Sequence, residues 1–181
     1  MEDSDDELVA RVARGDGAAF TRLVARHRKK LIAMTTRIVG SYALAEDVVQ
    51  DVFTRAWQRA PLWRPRSEGS FGAWLARVAT NLAIDHARKA APLPLEDAAE
   101  PLDGTPSADA QLIEREDERR LAGALAALPA RQRAAVALTY DQGLANAEAA
   151  AAMEISVGAF ELLLVRARRT LRQAMTEGSA I

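Results

Sequence analysis

The chain has 181 residues, no cysteine and a formal net charge of −1. That length allows one large domain or two small ones, and the lack of cysteine removes disulfides, thiolate metal sites and cysteine nucleophiles, which fits a reducing cytoplasm. No apolar run reaches the length of a membrane span, and the acidic opening MEDSDDE is the opposite of a signal peptide, so we expect no membrane insertion.

In chain order, Ser4 and Glu7 form a capping box, and Leu8, Val9 and Val12 follow at helical spacing as far as Gly15. Asp16 is placed to cap a second helix, with Phe20, Leu23, Val24, His27, Leu31, Met34 and Ile38 on one stripe and Gly40 closing it. A third helix is predicted over 44–59, with Val48, Val49, Val52, Phe53, Ala56 and Trp57 inward. Pro61 and Pro65 enforce a loop over 61–69, and Ser70 caps a fourth helix over 71–90 with Trp74, Leu75, Val78 and Leu82 inward. Residues 91–108, APLPLEDAAEPLDGTPSA, carry four prolines and read as a flexible acidic linker. Helix resumes near Asp109, with Leu112, Leu121, Leu125 and Leu128 inward, and a further helix spans 131–140. Residues 143–172 then read as a short helix, a tight turn and a longer basic-ended helix, the order of a helix-turn-helix. Strand-like alternation is missing throughout. The expected fold is therefore all-α: two small helical domains, 1–90 and 109–181, joined by the linker 91–108.

Charge is unevenly distributed. Residues 1–90 hold 15 basic and 11 acidic side chains, residues 91–114 hold 6 acidic and no basic ones, and residues 115–181 hold 9 basic and 8 acidic. An autonomous DNA binder is usually basic, so this balance suits a protein that reaches DNA with the help of a larger partner.

Three constellations stand out. On the fourth helix Arg77, Asn81, Asp85 and Arg88 share one polar face, with Lys89 beside it. By pattern alone this is a solvated face or a nucleic-acid face. The preceding loop sets Trp63 beside Arg64 and Arg66, a composition suited to stacking an unpaired base, although from the residues alone ordinary packing is the favoured reading of Trp63. On the third helix Glu46, Asp47, Gln50, Asp51 and Arg55 form the polar side, with Trp57 near the end. In the last helix Ser156 is the cap, and Gly158, Phe160, Glu161 and Leu162 precede Arg166, Arg168, Arg169 and Arg172. Enzymatic readings have little support. His27 and His86 are isolated, and the sequence offers no glycine-rich phosphate loop, no metal-ligand spacing, and no sign of a cofactor or small-molecule substrate.

The pattern A-E-D-x-x-Q-x-x-F-x-x-x-W, present as Ala45, Glu46, Asp47, Gln50, Phe53 and Trp57, together with the segments 70–89 and 128–172, resembles the extracytoplasmic-function (ECF) group of bacterial sigma factors over about residues 8–171. The resemblance implies a transcription initiation factor with three working surfaces. The third helix would dock core RNA polymerase through Glu46, Asp47, Gln50, Asp51, Arg55 and Trp57. The melted −10 element of promoter DNA would meet Trp63, Arg64, Arg66, Arg77, Asn81, Asp85, Arg88 and Lys89. The −35 element would meet Ser156, Gly158, Phe160, Glu161, Leu162, Arg166, Arg168 and Arg169. The resemblance also implies an anti-sigma factor that restrains the protein, at the inner membrane face if that factor is membrane-bound. The chain departs from the family in its helix-turn-helix. Ala145 stands where a capping serine is usual, leaving Asn146 to cap one residue later, and Glu154 stands where the turn favours glycine. Basic and hydroxyl groups of the recognition helix are replaced by Ala159, Glu161, Leu162 and Leu163, although Glu161 still offers an acceptor to cytosine N4. That departure keeps two rivals in view: a sigma-like decoy that sequesters an anti-sigma factor, and a self-sufficient helix-turn-helix repressor.

Overall fold

The computed structural model describes residues 3–64, 70–89 and 119–177, and all regular structure among them is helical. The linker 91–108, the helix start near Asp109, Leu112 and Arg66 lie outside the described residues. Helix α1 spans Asp5–Val12, α2 Gly17–Val39, α3 Tyr42–Arg59 and α4 Phe71–Lys89, with a 3₁₀ turn at Ala60–Leu62 after α3. Residues 119–127 form α5, and α6 (Ala130–Tyr140), α7 (Asn146–Ala152) and α8 (Val157–Glu177) follow.

The helix ends are set by local chemistry. Ser4 Oγ accepts from the Glu7 N–H while Glu7 Oε2 accepts from the Ser4 N–H at 2.7 Å, so two backbone donors at the start of α1 are satisfied reciprocally. Asp16 Oδ1 accepts from the Ala19 N–H at 3.0 Å to open α2, which Gly40 closes at φ 79°, a left-handed conformation that glycine adopts without strain. Ser41 caps α3 two residues earlier than the apolar pattern alone suggests.

Helices α1 to α4 share one core. Leu8, Val9 and Val12 of α1, Leu23, Leu31, Met34 and Ile38 of α2, Val49, Val52 and Phe53 of α3, and Leu75, Ala76, Ala79 and Ala83 of α4 are buried together. The alanines of α4 bring it close to its neighbours, and the larger Trp74, Val78 and Leu82, expected to point inward, are half-buried at the margin. Trp57 is also displaced from the expected core: it is 40% exposed and meets Phe20 edge-on at 5.0 Å. Leu121 of α5 is likewise exposed, whereas Leu125 and Leu128 are buried as expected.

The helices after residue 119 do not stand apart from this bundle. Helix α6 lies across α2 and α4, and α7 packs on α4. The Arg133 guanidinium donates to the carbonyls of Ile38 at the end of α2 (2.9 Å) and of Ala126 and Leu128 at the end of α5 (2.9 and 2.6 Å). Burial holds its pKa below the usual arginine value, yet no arginine deprotonates in a folded protein, so a charged group here bridges two helix ends rich in unpaired carbonyls. Arg37 and Asp141 form a two-pronged pair at 2.8 and 2.9 Å, and Gln142 donates to the Lys30 carbonyl at 2.9 Å.

Two outcomes follow from these contacts. Asp141→Ala strands the half-buried Arg37 guanidinium, so it should lower stability by about 1–3 kcal/mol in urea unfolding and enlarge the radius of gyration measured by X-ray scattering. Asp16 is held below its ordinary pKa first by the Ala19 N–H and then by the Arg11 guanidinium. Its contribution is therefore complete above the usual aspartate range and is lost as pH falls through and below that range. Asp16→Asn keeps the capping acceptor, so it should flatten the fall in stability on acidification in pH-dependent denaturation while leaving the helix content unchanged.

Candidate nucleic-acid interface

The α3 surface follows from which turns of the helix face outward. Asp47, Gln50, Asp51, Arg55 and Trp57 are exposed and Glu46 is half-buried. Glu46 Oε1 accepts from Arg28 Nη2 at 2.6 Å. A groove between α2 and α3 is lined by Phe20, Val24, Arg28, Glu46, Gln50 and Trp57. It combines an apolar floor with a charged rim, as protein-binding surfaces do, and Phe53 beneath it is core.

The loop between α3 and α4 and the α4 face form the second surface. Trp63 is half-buried: it meets Phe71 edge-on at 5.2 Å and Trp74 at 6.0 Å, and its Nε1 donates to Asp6 Oδ1 at 3.0 Å. In this structure Trp63 anchors the loop to α1, the packing role that the sequence left open. Arg64 donates to the carbonyls of Pro61 and Trp63. Arg77, Asp85, Arg88 and Lys89 are exposed, and Arg88 pairs with Asp85 at 3.1 Å. Asn81 is half-buried and its Nδ2 lies 3.5 Å from Glu154 Oε1 in the helix-turn-helix. A cleft lined by Arg59, Trp63, Arg64, Trp74 and Arg77 is closed on its far side by Glu148, Ala151 and Ala152 of α7. The polar face of α4 is thus partly covered by α7.

The helix-turn-helix is built from α7 and α8. Ala145 is the cap position of α7 and offers no acceptor, but Glu148 Oε2 accepts from the Ala145 N–H at 3.1 Å. Asn146 does not cap: it is the first residue of α7, and its Nδ2 donates to Glu161 Oε1 at 3.2 Å. Glu154 takes the left-handed conformation expected at the turn, with φ 55°, which costs a non-glycine residue roughly 1–2 kcal/mol. Ser156 Oγ accepts from the Ala159 N–H to open α8.

Helix α8 sorts its residues by period. Phe160, Leu164 and Ala167 are buried. Gly158, Glu161, Leu162, Arg166 and Arg169 are exposed. Within the expected −35 set one residue is therefore withdrawn from the surface and one exposed arginine is engaged by α6. Phe160 is fully buried and holds α8 to its neighbours, a burial worth about 1.5–3 kcal/mol, so it cannot touch a duplex. Arg168 Nε donates to the Tyr140 hydroxyl of α6 at 3.1 Å, and its guanidinium sits 5.8 Å from that ring centre, a cation–π contact that turns it toward α6. The sequence reading did not find Arg37, Arg133, Asp141 and Gln142, because each sits in an ordinary helix-terminal or surface context until the two bundles are brought together. His27 shares a 2.7 Å hydrogen bond with Asp5, as a packed histidine does.

The comparisons with known proteins agree with this geometry. The chain matches the family description "Sigma-70 region 2" over residues 23–92 and "Sigma-70, region 4" over residues 118–171. It is 30% identical over 189 residues to the ECF RNA polymerase sigma factor SigE of Mycolicibacterium smegmatis, covering 99% of this chain and 72% of that one. It is 33% identical over 172 residues to "Probable RNA polymerase sigma factor RfaY" of Xanthomonas campestris pv. campestris, where it covers 91% of this chain but spans only 42% of that longer relative. Among solved structures, CnrH in complex with the cytosolic domain of CnrY superposes with a TM-score of 0.72 at 30% identity, over 97% of this chain and 99% of that one.

Proposed function

The chain belongs to the ECF group of RNA polymerase sigma factors, and from that membership we propose a division of labour among its three surfaces in promoter-specific transcription initiation. The α2–α3 groove, with Glu46, Gln50 and Trp57 at its edge, docks core RNA polymerase. The loop before α4, the exposed Arg77 and Arg88 and the half-buried Asn81 take the melted −10 element, where phosphate neutralisation by arginine offsets part of the cost of unstacking. The outward face of α8 enters the −35 duplex. Net charge near zero gives the free protein little attraction for DNA, so affinity comes through the polymerase.

The observation that carries this reading is the coexistence in one chain of an exposed α3 face around Trp57 and a helix-turn-helix whose second helix keeps its outward face free. The cover of α7 over α4 adds a control point. Arg77 and Asn81 face the helix-turn-helix, so the two bundles part before the −10 element binds. An anti-sigma factor that holds them together keeps the protein inactive, and a membrane-bound one would hold it at the inner membrane face. The described helices include none long and apolar enough to cross a membrane.

The test is run-off transcription of fragmented genomic DNA by core polymerase with and without the protein, with the 5′ ends mapped. New starts that share upstream motifs are the expected result. Trp57→Ala should weaken core binding by roughly thirtyfold, the loss of an aromatic anchor. Arg77→Ala should leave core binding intact and lower open-complex formation by about tenfold. Core binding with no new start would favour the decoy, and duplex binding by the isolated protein at physiological salt would favour the repressor.

A further inference from the structure

The outward face of α8 has an unusual chemistry for a helix that meets DNA. Gly158, Glu161, Leu162, Val165, Arg166 and Arg169 fall at i, i+3, i+4, i+7, i+8 and i+11, one stripe, and all are exposed. Leu162 and Val165 are 58% and 61% exposed. The first half of the stripe carries one charge, that of Glu161, and it is negative. A β-carbon placed on Gly158 would meet nothing within 4 Å, so the free fold does not require glycine there, although glycine weakens a helix. What that glycine leaves is room for close approach of another molecule.

Glu161 is not a loose side chain. Its Oε1 accepts from Asn146 Nδ2 at 3.2 Å across the helix-turn-helix, which fixes the carboxylate relative to α7 and uses one of its acceptor positions. Glu161 is exposed, so its remaining acceptor positions are open to another molecule. A carboxylate carried into a groove walled by phosphates is repelled unless it meets a donor. In the major groove cytosine presents N4–H₂ as a donor, guanine presents two acceptors, and adenine sets its N6 donor beside the N7 acceptor. Thymine presents its C5 methyl, the natural neighbour for Leu162 and Val165. Arg166 and Arg169, further along the stripe, match the phosphates on either side.

We propose that Glu161, held by Asn146, selects a cytosine in the −35 duplex, with Leu162 and Val165 packed on thymine methyls beside it. Asn146 is a positioning residue: its amide is spent on the carboxylate and not on a base. The proposal rests on the reading that α8 enters the −35 element, and the experiment separates the two.

Holoenzyme assembled from core polymerase and the full chain is presented with a promoter library randomised across the −35 element over a fixed −10 element, and the DNA in open complexes is sequenced. The expected wild-type result is one position enriched in cytosine with thymines near it on either strand. Glu161→Gln should move that position toward adenine, the base a glutamine amide reads in two-pronged fashion, changing the cytosine-to-adenine ratio by roughly tenfold. Asn146→Ala should soften the cytosine preference without moving it, while leaving thermal unfolding and core binding unchanged. The double substitution Leu162→Ala, Val165→Ala should reduce the thymine enrichment and spare the cytosine. An unchanged preference in Glu161→Gln, or a wild-type position with guanine facing Glu161, overturns the proposal. Open complexes without any −35 preference overturn it while leaving the sigma function standing, whereas failure to form open complexes on any sequence removes both.

Discussion

One guanidinium sets the geometry on which the remaining contacts depend. Arg133 reaches the Ile38 carbonyl in the last turn of α2 with one arm and the Ala126 and Leu128 carbonyls at the end of α5 with another. Those carbonyls lie at helix ends, where no N–H of the next turn exists to receive them, and the backbone dipoles add negative potential. A planar cation with donors in a fixed fork satisfies them together, which a lysine ammonium on its flexible stem does not reproduce. With the α2 and α5 ends held at one point, α6 is laid across the first bundle, and Asp141 and Gln142 at the end of α6 fall opposite Arg37 and the Lys30 carbonyl. The position of α7 over α4 follows from that of α6 through the short 141–145 connection.

The packing has an electrostatic logic that net charge conceals. Helix α2 carries six basic side chains and no acid, and the exposed Arg77, Arg88 and Lys89 add to the positive charge on α4. Part of that charge is answered from within, by Asp141 on Arg37 of α2 and by the proximity of Glu148 and Glu154 to the α4 face. Under the proposed division of labour, those acids stand where a phosphate would, and promoter DNA would have to displace them. Among the described residues the outward face of α8 carries no such internal cover, so the two proposed DNA-reading surfaces differ in availability.

Much of the architecture was legible because helix boundaries are local. The Ser4–Glu7 box, the Asp16 cap, the Gly40 stop and the left-handed residue at Glu154 each depend on a few neighbours in sequence, and each is found where expected. What spacing does not show is a side chain's remote partner. Arg168, one arginine among four, stays exposed but is met by Tyr140, 28 residues away. Trp57 fits the apolar stripe of α3 by spacing, yet the core is already filled by Phe53 and Phe20, so the indole sits at the rim. Phe160 is the instructive case. Family correspondence assigned it to DNA, and the structure buries it with Leu164 and Ala167 at helical spacing. The contact between bundles had no local signature at all, since Arg37 is also what a favourable last turn of an isolated helix looks like.

The alanines of α7 have a mechanical consequence. Ala149, Ala150 and Ala152 are buried, and Ala151 and Ala152 line the cleft that faces α4. Methyl groups bring two backbones close but interlock less than long side chains do. Parting such surfaces strips few dispersion contacts per residue and demands no rotamer change. Resistance to separation is then concentrated away from this seam, in the buried Ala134 to Leu138 of α6, which share one core with α2 and α4, and in the polar contacts of Arg133, Asp141 and Gln142 beside them. Helix α6 supplies the grip, and α7 is laid on α4 with little hold of its own.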